Sequence, residues 1–198
     1  ALVGANGSGK SSLLRAVHGL LPLSAGKRMI HEAPRMAMVF QQPFMLRLSL
    51  LANVKLGLLL HGVAREQRHA RALQALERVG LKSEAHRNAR VLSSGQQQRA
   101  ALARAWALQP DVLLLDEPTA SLDPTAKREV ESLIEGFAAQ GITVLMSSHN
   151  LGQVKRLADR VVYLERGRVL ADVPTDHFFH GSLPEAAALF LKGELPWT

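Results

Sequence analysis

The run Gly4-Ala5-Asn6-Gly7-Ser8-Gly9-Lys10-Ser11-Ser12 has the residue types and spacing that hold a phosphate chain. It reads Gly, four residues, Gly-Lys-Ser, directly after the apolar Leu2-Val3 and directly before Leu13, Leu14 and Val17 at helical spacing. That is the strand–loop–helix setting of a P-loop. Glycines let the backbone wrap closely with its N–H groups turned inward, and the helix start adds its positive end. Lys10 is expected to reach the β- and γ-phosphates, and the Ser11 hydroxyl to ligate Mg²⁺. The bland reading is a glycine-rich turn with a chance Lys-Ser, so other residues must decide.

Asp116 and Glu117 follow the apolar run Val112-Leu113-Leu114-Leu115, which brings two carboxylates out at the end of a buried strand. Asp116 suits Mg²⁺ held together with Ser11, because the ion prefers a few carboxylate or hydroxyl oxygens beside phosphate and water. Glu117 is then the candidate general base for an attacking water, the competing reading being a cap for the turn that follows. His149 ends the strand Ile142-Thr143-Val144-Leu145-Met146 with Ser147-Ser148 and is expected at the γ-phosphate, although a lone histidine is more often a core residue. Gln41, after Arg35 to Phe40, could reach Mg²⁺ or the water through its amide, with Gln42 as a rival. Leu92-Ser93-Ser94-Gly95-Gln96 reads as a helix start with Ser93 as cap, an anion-binding end for which its own subunit offers no obvious anion.

Elements that could position these groups alternate along the chain. Helical patterns are expected at 49–60, 64–79 and 124–139, and strands at 35–40, 112–115, 142–146, 161–164 and 169–171. Glu165-Arg166-Gly167-Arg168 suggests a hairpin turn between the last two strands. Alternating strands and helices imply a mostly parallel α/β sheet with ligands at the carboxyl ends of its strands. The 198 residues are 47% hydrophobic and contain no cysteine, which excludes disulfides and cysteine-based metal sites. No run is long and apolar enough to span a bilayer. Only Ala1-Leu2-Val3 precede the P-loop, so the expectation is a chain lacking its N-terminal strands. Positions 61–90 hold seven basic and three acidic residues, a net +4 of the chain's +7. Arg65, Arg68, Arg71 and Arg78 there are either a solvated helix face or a surface facing anionic lipid. No aromatic residue lies between 45 and 105 to stack nucleobases.

Taken together, these motifs resemble the ATP-binding cassette (ABC) ATPases. The resemblance covers essentially the whole chain: Walker A at Gly4 to Ser12, Q-loop at Gln41, signature at Leu92 to Gln96, and Walker B with its glutamate at Val112 to Glu117. The D-loop Ser121-Leu122-Asp123 and the switch histidine His149 follow in order. It implies a P-loop NTPase (RecA-like) core at 1–43 and 109–198, with an inserted α-helical subdomain at 44–108. It also implies ATP hydrolysis with Mg²⁺ in a head-to-tail homodimer, each ATP lying between one Walker A and the other subunit's Ser93, Ser94, Gly95 and Gln96. Permease subunits, and through them a solute-binding protein, would be the partners, with the ATPase at the cytoplasmic face of the bacterial inner membrane and no nucleic acid involved.

Two departures stand out. The family's signature usually reads Leu-Ser-Gly-Gly-Gln, and Ser94 replaces its first glycine; were that position to need a positive φ, a Cβ would cost about 1 kcal/mol. The family's adenine-stacking aromatic lies upstream of Walker A, before Ala1, so weak ATP binding is expected. Residues 44–54 (Phe44 to Val54) and the end, Gly193-Glu194-Leu195-Pro196-Trp197, look similar to bacterial tungstate-type oxyanion importers. The alternative reading is a soluble, non-transport ABC ATPase acting on nucleic acid or ribosomes.

Overall fold

A computed structural model describes residues 1–30 and 32–193. The terminal part of the importer-like ending, 194–197, lies outside the described residues. Among the described residues, six strands form one sheet in the order β2-β3-β4-β1-β5-β6: β1 (Leu2–Val3), β2 (Met36–Val39), β3 (Val112–Asp116), β4 (Thr143–Ser147), β5 (Arg160–Glu165) and β6 (Arg168–Pro174). β1 is parallel to both β4 and β5, with Leu2 opposite Ser147 and Val162. β5 and β6 form the expected antiparallel hairpin, Glu165 facing Arg168 across its turn.

The chain divides into two compact units. The first comprises Ala1–Arg28, Leu115–Glu117 and the chain from Leu145 onward. It holds β1, α1 (Lys10–His18), the ends of β3 and β4, α6 (Leu151–Leu157), the β5–β6 hairpin, α7 (Thr175–His180) and α8 (Glu185–Lys192). Helix α1 stops at Gly19, whose φ of 95° and N–H bonds to Arg15 and Ala16 carbonyls close the last turn. Val3, Val154, Val161, Tyr163, Ala171, Phe178 and Ala187 form its core. The Tyr163 hydroxyl, drawn into that core, donates to the Ala186 carbonyl at 3.3 Å.

The second unit, Met29–Leu114 and Pro118–Val144, holds β2, the larger part of β3, and α2 (Leu50–Leu60), α3 (Arg65–Arg78), α4 (Ser94–Trp106) and α5 (Pro124–Ala138). Helix α5 buries Ala126, Val130, Ile134 and Phe137, one stripe at helical spacing. Phe137 stacks on Trp106 of α4, with ring centroids 6.5 Å apart. Helix α2 is anchored by the buried Asn53, whose carbonyl accepts from Leu46 N–H while its amide donates to the Leu46, Leu48 and Ser49 carbonyls. Three of the four arginines of α3 donate to backbone: Arg68 reaches the Val63 carbonyl, Arg71 that of Ala107 and Arg78 that of Gly136. The basic helix is thus in good part a set of structural ties.

Gly95 sits where α4 meets α5, and a Cβ there would lie 2.6 Å from the Ala126 Cβ. Overpacking such a contact costs about 1–3 kcal/mol. Gly95→Ala should therefore lower the melting temperature, and adding Ala126→Gly should recover part of that loss. A double-mutant cycle by thermal melting checks this: strictly additive effects of the two changes would mean the contact is not tight.

Candidate functional site

The first unit gathers the chain's phosphate-binding loop, two carboxylates and a histidine. Residues 4–9 bridge β1 and α1, with Gly4, Gly7 and Gly9 all at positive φ. Gly4 has no room for a side chain: a Cβ would stand 2.1 Å from the Leu164 carbonyl oxygen of β5. Lys10 is 7% exposed. Its ammonium folds back over its own loop and donates to the Gly4 and Ala5 carbonyls at 2.8 and 3.1 Å. Burial lowers the Lys10 pKa, while the negative charges of Glu117 and Asp116 act in the opposite direction. An ammonium has three donors, so two held by carbonyls leave one to aim at an anion. The Ser8 hydroxyl is buried and has no hydrogen-bond partner among the described residues. An unmet buried hydroxyl costs about 1–3 kcal/mol, a debt that a phosphate oxygen could remove.

Asp116 ends β3 and is 4% exposed. One of its oxygens, Oδ1, accepts from the Ser11 hydroxyl at 2.8 Å and from the Ser147 hydroxyl at 2.8 Å. The Ser11 and Asp116 oxygens are hard donors of the kind that fits Mg²⁺. Glu117 has a φ of 47°, in the left-handed region that side chains other than glycine rarely adopt. Its N–H donates to Ser147 Oγ at 2.9 Å, and its Oε2 lies 2.7 Å from His149 Nδ1. The Glu117 side chain is 12% exposed and that of His149 58%.

A short network holds the His149 loop. Ser148 Oγ donates to Gln153 Oε1 at 2.8 Å and accepts from Asn150 N–H, while Asn150 Oδ1 caps α6 through Gln153 N–H. The histidine expected at the γ-phosphate therefore rests on the carboxylate expected to be the base.

The other sequence candidates lie in the second unit. Gln41 and Gln42 follow β2 and are both exposed. Ser93 caps α4: its hydroxyl accepts from Gln96 N–H at 3.3 Å, and Gln96 Oε1 accepts from Ser93 N–H at 3.0 Å. Ser94 is the first residue of that helix and is not among the positive-φ positions, so replacing the usual glycine carries no backbone strain here. Asp123 caps α5 by accepting from Thr125 and Ala126 N–H groups, which hold its carboxyl below its ordinary pKa. Sequence reasoning missed Ser147. Its signal was the serine ending a strand beside the one that delivers the carboxylates.

The family model described as ABC transporter matches residues 1–120. The chain is 32% identical, over 207 aligned positions, to the glutamine transport ATP-binding protein GlnQ of Geobacillus stearothermophilus; the match covers 96% of this chain and 85% of that protein. Among solved structures, it is similar to a metal-chelate type ABC transporter in an inward-facing conformation, with a TM-score of 0.82 and 30% identity over 97% of this chain and 78% of that one. It also matches a dimeric ATP-binding cassette in a post-hydrolysis state bound to ADP and Pi, with a TM-score of 0.76 and 29% identity over 88% and 84% of the two chains. These likenesses and the α/β core with its phosphate-binding loop define a P-loop NTPase. The chain belongs to the ABC transporter family and is an ATP-binding subunit that hydrolyses ATP.

Ser147 is the hinge of this arrangement because one hydroxyl serves both carboxylate residues. Ser147→Ala leaves Asp116 Oδ1 and Glu117 N–H each one partner short, at about 1–3 kcal/mol. The expected outcome is a melting temperature several degrees lower and, at saturating Mg-ATP, a kcat reduced by about tenfold or more from misaimed carboxylates. Native melting and native kcat together would show that the hydroxyl pins neither.

Proposed function

We propose that this chain is the ATPase subunit of an importer, working as a head-to-tail homodimer beneath permease subunits that receive solute from a separate binding protein. The observation that carries the catalytic part is the Ser11–Asp116–Ser147–Glu117–His149 chain of contacts beside a buried lysine. Gly4, Asn6, Gly7, Ser8, Gly9, Lys10, Ser11 and Ser12 cradle the triphosphate through backbone N–H groups, the lysine and hydroxyls. Ser11 and Asp116 hold Mg²⁺, which when bound neutralises charge on the phosphate oxygens, and Gln41 is the further ligand that the Q-loop resemblance implies. Glu117 takes a proton from the attacking water as general base. His149 orients that carboxylate through its 2.7 Å contact and faces the terminal phosphate on its other side.

The composite site of the dimer rests on α4. Ser93 and Gln96 already satisfy each other, so the helix start is rigid, with Ser93 and Ser94 exposed for the nucleotide of the partner subunit. Asp123 belongs to the same dimer face, and residues 44–108 form the helical subdomain that carries the signature. Docking of a permease is supported by Phe44, 67% exposed, in a hollow lined also by Pro43, Met45, Arg90 and Gln97. As the importer relatives imply, such an ATPase would lie peripherally at the cytoplasmic face of the inner membrane; no helix among the described residues is long and apolar enough to cross a membrane. An oxyanion of the tungstate or molybdate type as cargo is supported only by the sequence likeness of residues 44–54 and of the ending at 193–197.

Glu117→Gln keeps the shape of the site and removes the proton acceptor. Turnover should fall by about 10²–10⁴-fold, while ATP still binds and the protein accumulates as an ATP-bound dimer by size-exclusion chromatography. Native turnover in that variant would remove Glu117 from the role of base.

A composite site also predicts complementation. Lys10→Ala and a bulky Ser93→Tyr should each be inactive alone, and their mixture should regain part of the activity, because a mixed dimer holds one intact site. A Ser93→Tyr protein that dimerises with ATP as readily as the parent would show that the signature is not an interface element.

A further inference from the structure

The turn of the β5–β6 hairpin is fastened to the phosphate-binding loop. Gly167 N–H donates to the Ser8 carbonyl at 2.9 Å, and a Cβ on Gly9 would stand 3.6 Å from Gly167 Cα. Four positions back from Ser8, Gly4 lies against the Leu164 carbonyl. Both shoulders of the loop therefore rest on this hairpin.

The turn is also strained. Arg166 has a φ of 46° and Gly167 one of 77°, the two successive left-handed residues of a tight two-residue hairpin. Asn or Gly would occupy the first of these positions without cost, whereas an arginine there is held against its preference. Arg166 and Arg168 are exposed, and neither guanidinium has a partner among the described residues. The only acid on the turn is Glu165, so the turn is net positive.

Strand order fixes which end of a nucleotide this turn meets. Asp116 lies at the end of β3, and Ser147 and His149 at the end of β4, on one side of β1; the Arg166–Arg168 turn lies at the end of β5, on the other. A triphosphate with its terminal phosphate at Ser11, Asp116 and Glu117 must cross the loop away from β3 and β4. Its other end then arrives above the end of β5. We infer that Arg166 and Arg168 hold the α-phosphate of the bound nucleotide, forming a second, cationic wall opposite the carboxylates. The inference rests on the proposed placement of the terminal phosphate. A guanidinium binds phosphate oxygens through charge-assisted hydrogen bonds, the stronger kind.

Isothermal titration calorimetry with Mg-ATP and with inorganic tripolyphosphate tests it. Arg166→Asn with Arg168→Ala removes both charges and keeps a residue that tolerates the left-handed backbone. Its affinity for ATP should drop by about tenfold, with a matching loss for tripolyphosphate, and Arg166→Lys with Arg168→Lys should restore most of both. If the neutral variant melts below the parent, Arg168→Ala alone, at an ordinary backbone position, is read in the same way. Unchanged ATP affinity overturns the inference. So does a loss for ATP with none for tripolyphosphate, which would place the contact on the nucleoside. Lys10→Ala separates the two levels. If it abolishes binding of both ligands while the neutral arginine variant binds normally, only this inference fails. If Lys10→Ala itself binds both normally, the placement of the phosphates fails with it.

Discussion

One carboxylate oxygen sets the geometry of the whole site. Asp116 Oδ1 accepts hydroxyl protons from Ser11, at the start of α1, and from Ser147, at the end of β4. Those two donors come from 105 residues before it and 31 residues after it in the chain. The bonds therefore close long loops, and the entropy of closing them has already been met by strand pairing in the sheet. Burial strengthens each bond and makes either one costly to lose. The same Ser147 oxygen receives the Glu117 N–H, so the conformation of the candidate base follows from the position of the candidate metal ligand.

Strain and unmet polarity collect in the loop after β1 and just past the ends of β3 and β5. Glu117 and Arg166 both hold left-handed backbones, each at a cost of order 1–3 kcal/mol when the residue is not glycine. Ser8 buries a hydroxyl without a partner, and Lys10 buries a charge whose pKa falls through desolvation. A site optimised for stability alone would have none of these. Two of them would be relieved by an anion arriving at the loop: Ser8 would gain an acceptor and Lys10 an opposite charge. Preorganisation of this kind moves reorganisation cost from the reaction to the folding of the protein.

Much of this was legible in the sequence, for identifiable reasons. The phosphate-binding loop, the Asp116-Glu117 pair and the β5–β6 turn depend on local chemistry, glycine placement and strand ends, which a linear reading can see. Periodicity placed α2, α3 and α5 to within a residue or two, because each buries a regular stripe. Ser147 was missed since a serine at a strand end is unremarkable until the neighbouring strand is known; its role comes from pairing, not from spacing. Helices α7 and α8 were missed for a different reason. They are short, of six and eight residues, and bury mainly Phe178 and Ala187 against Tyr163, so their pattern is too brief to carry a period. Pro174 and Pro184, immediately before each, were the available signals. The arginines of α3 show the reverse case: their charge was visible in the sequence, but not that Arg71 and Arg78 donate to carbonyls 36 and 58 residues away.

Three of the motif loops end in a helix cap. Ser93 caps α4, Asp123 caps α5 and Asn150, next to His149, caps α6. Each side chain satisfies amides that the helix start would otherwise leave open. Capping competes with function as an explanation for these residues. It is better taken as the way they are positioned. A cap fixes the residue at which a helix begins, so the loop before it has few conformations left, and a group one or two residues away inherits that precision. Asn150 does this for His149, and Ser148 and Gln153 lock the cap in turn. Ser93 differs in being exposed while its capping bonds are complete. An anion brought to it by a partner subunit would find the helix start already formed, which is what the proposed head-to-tail dimer requires.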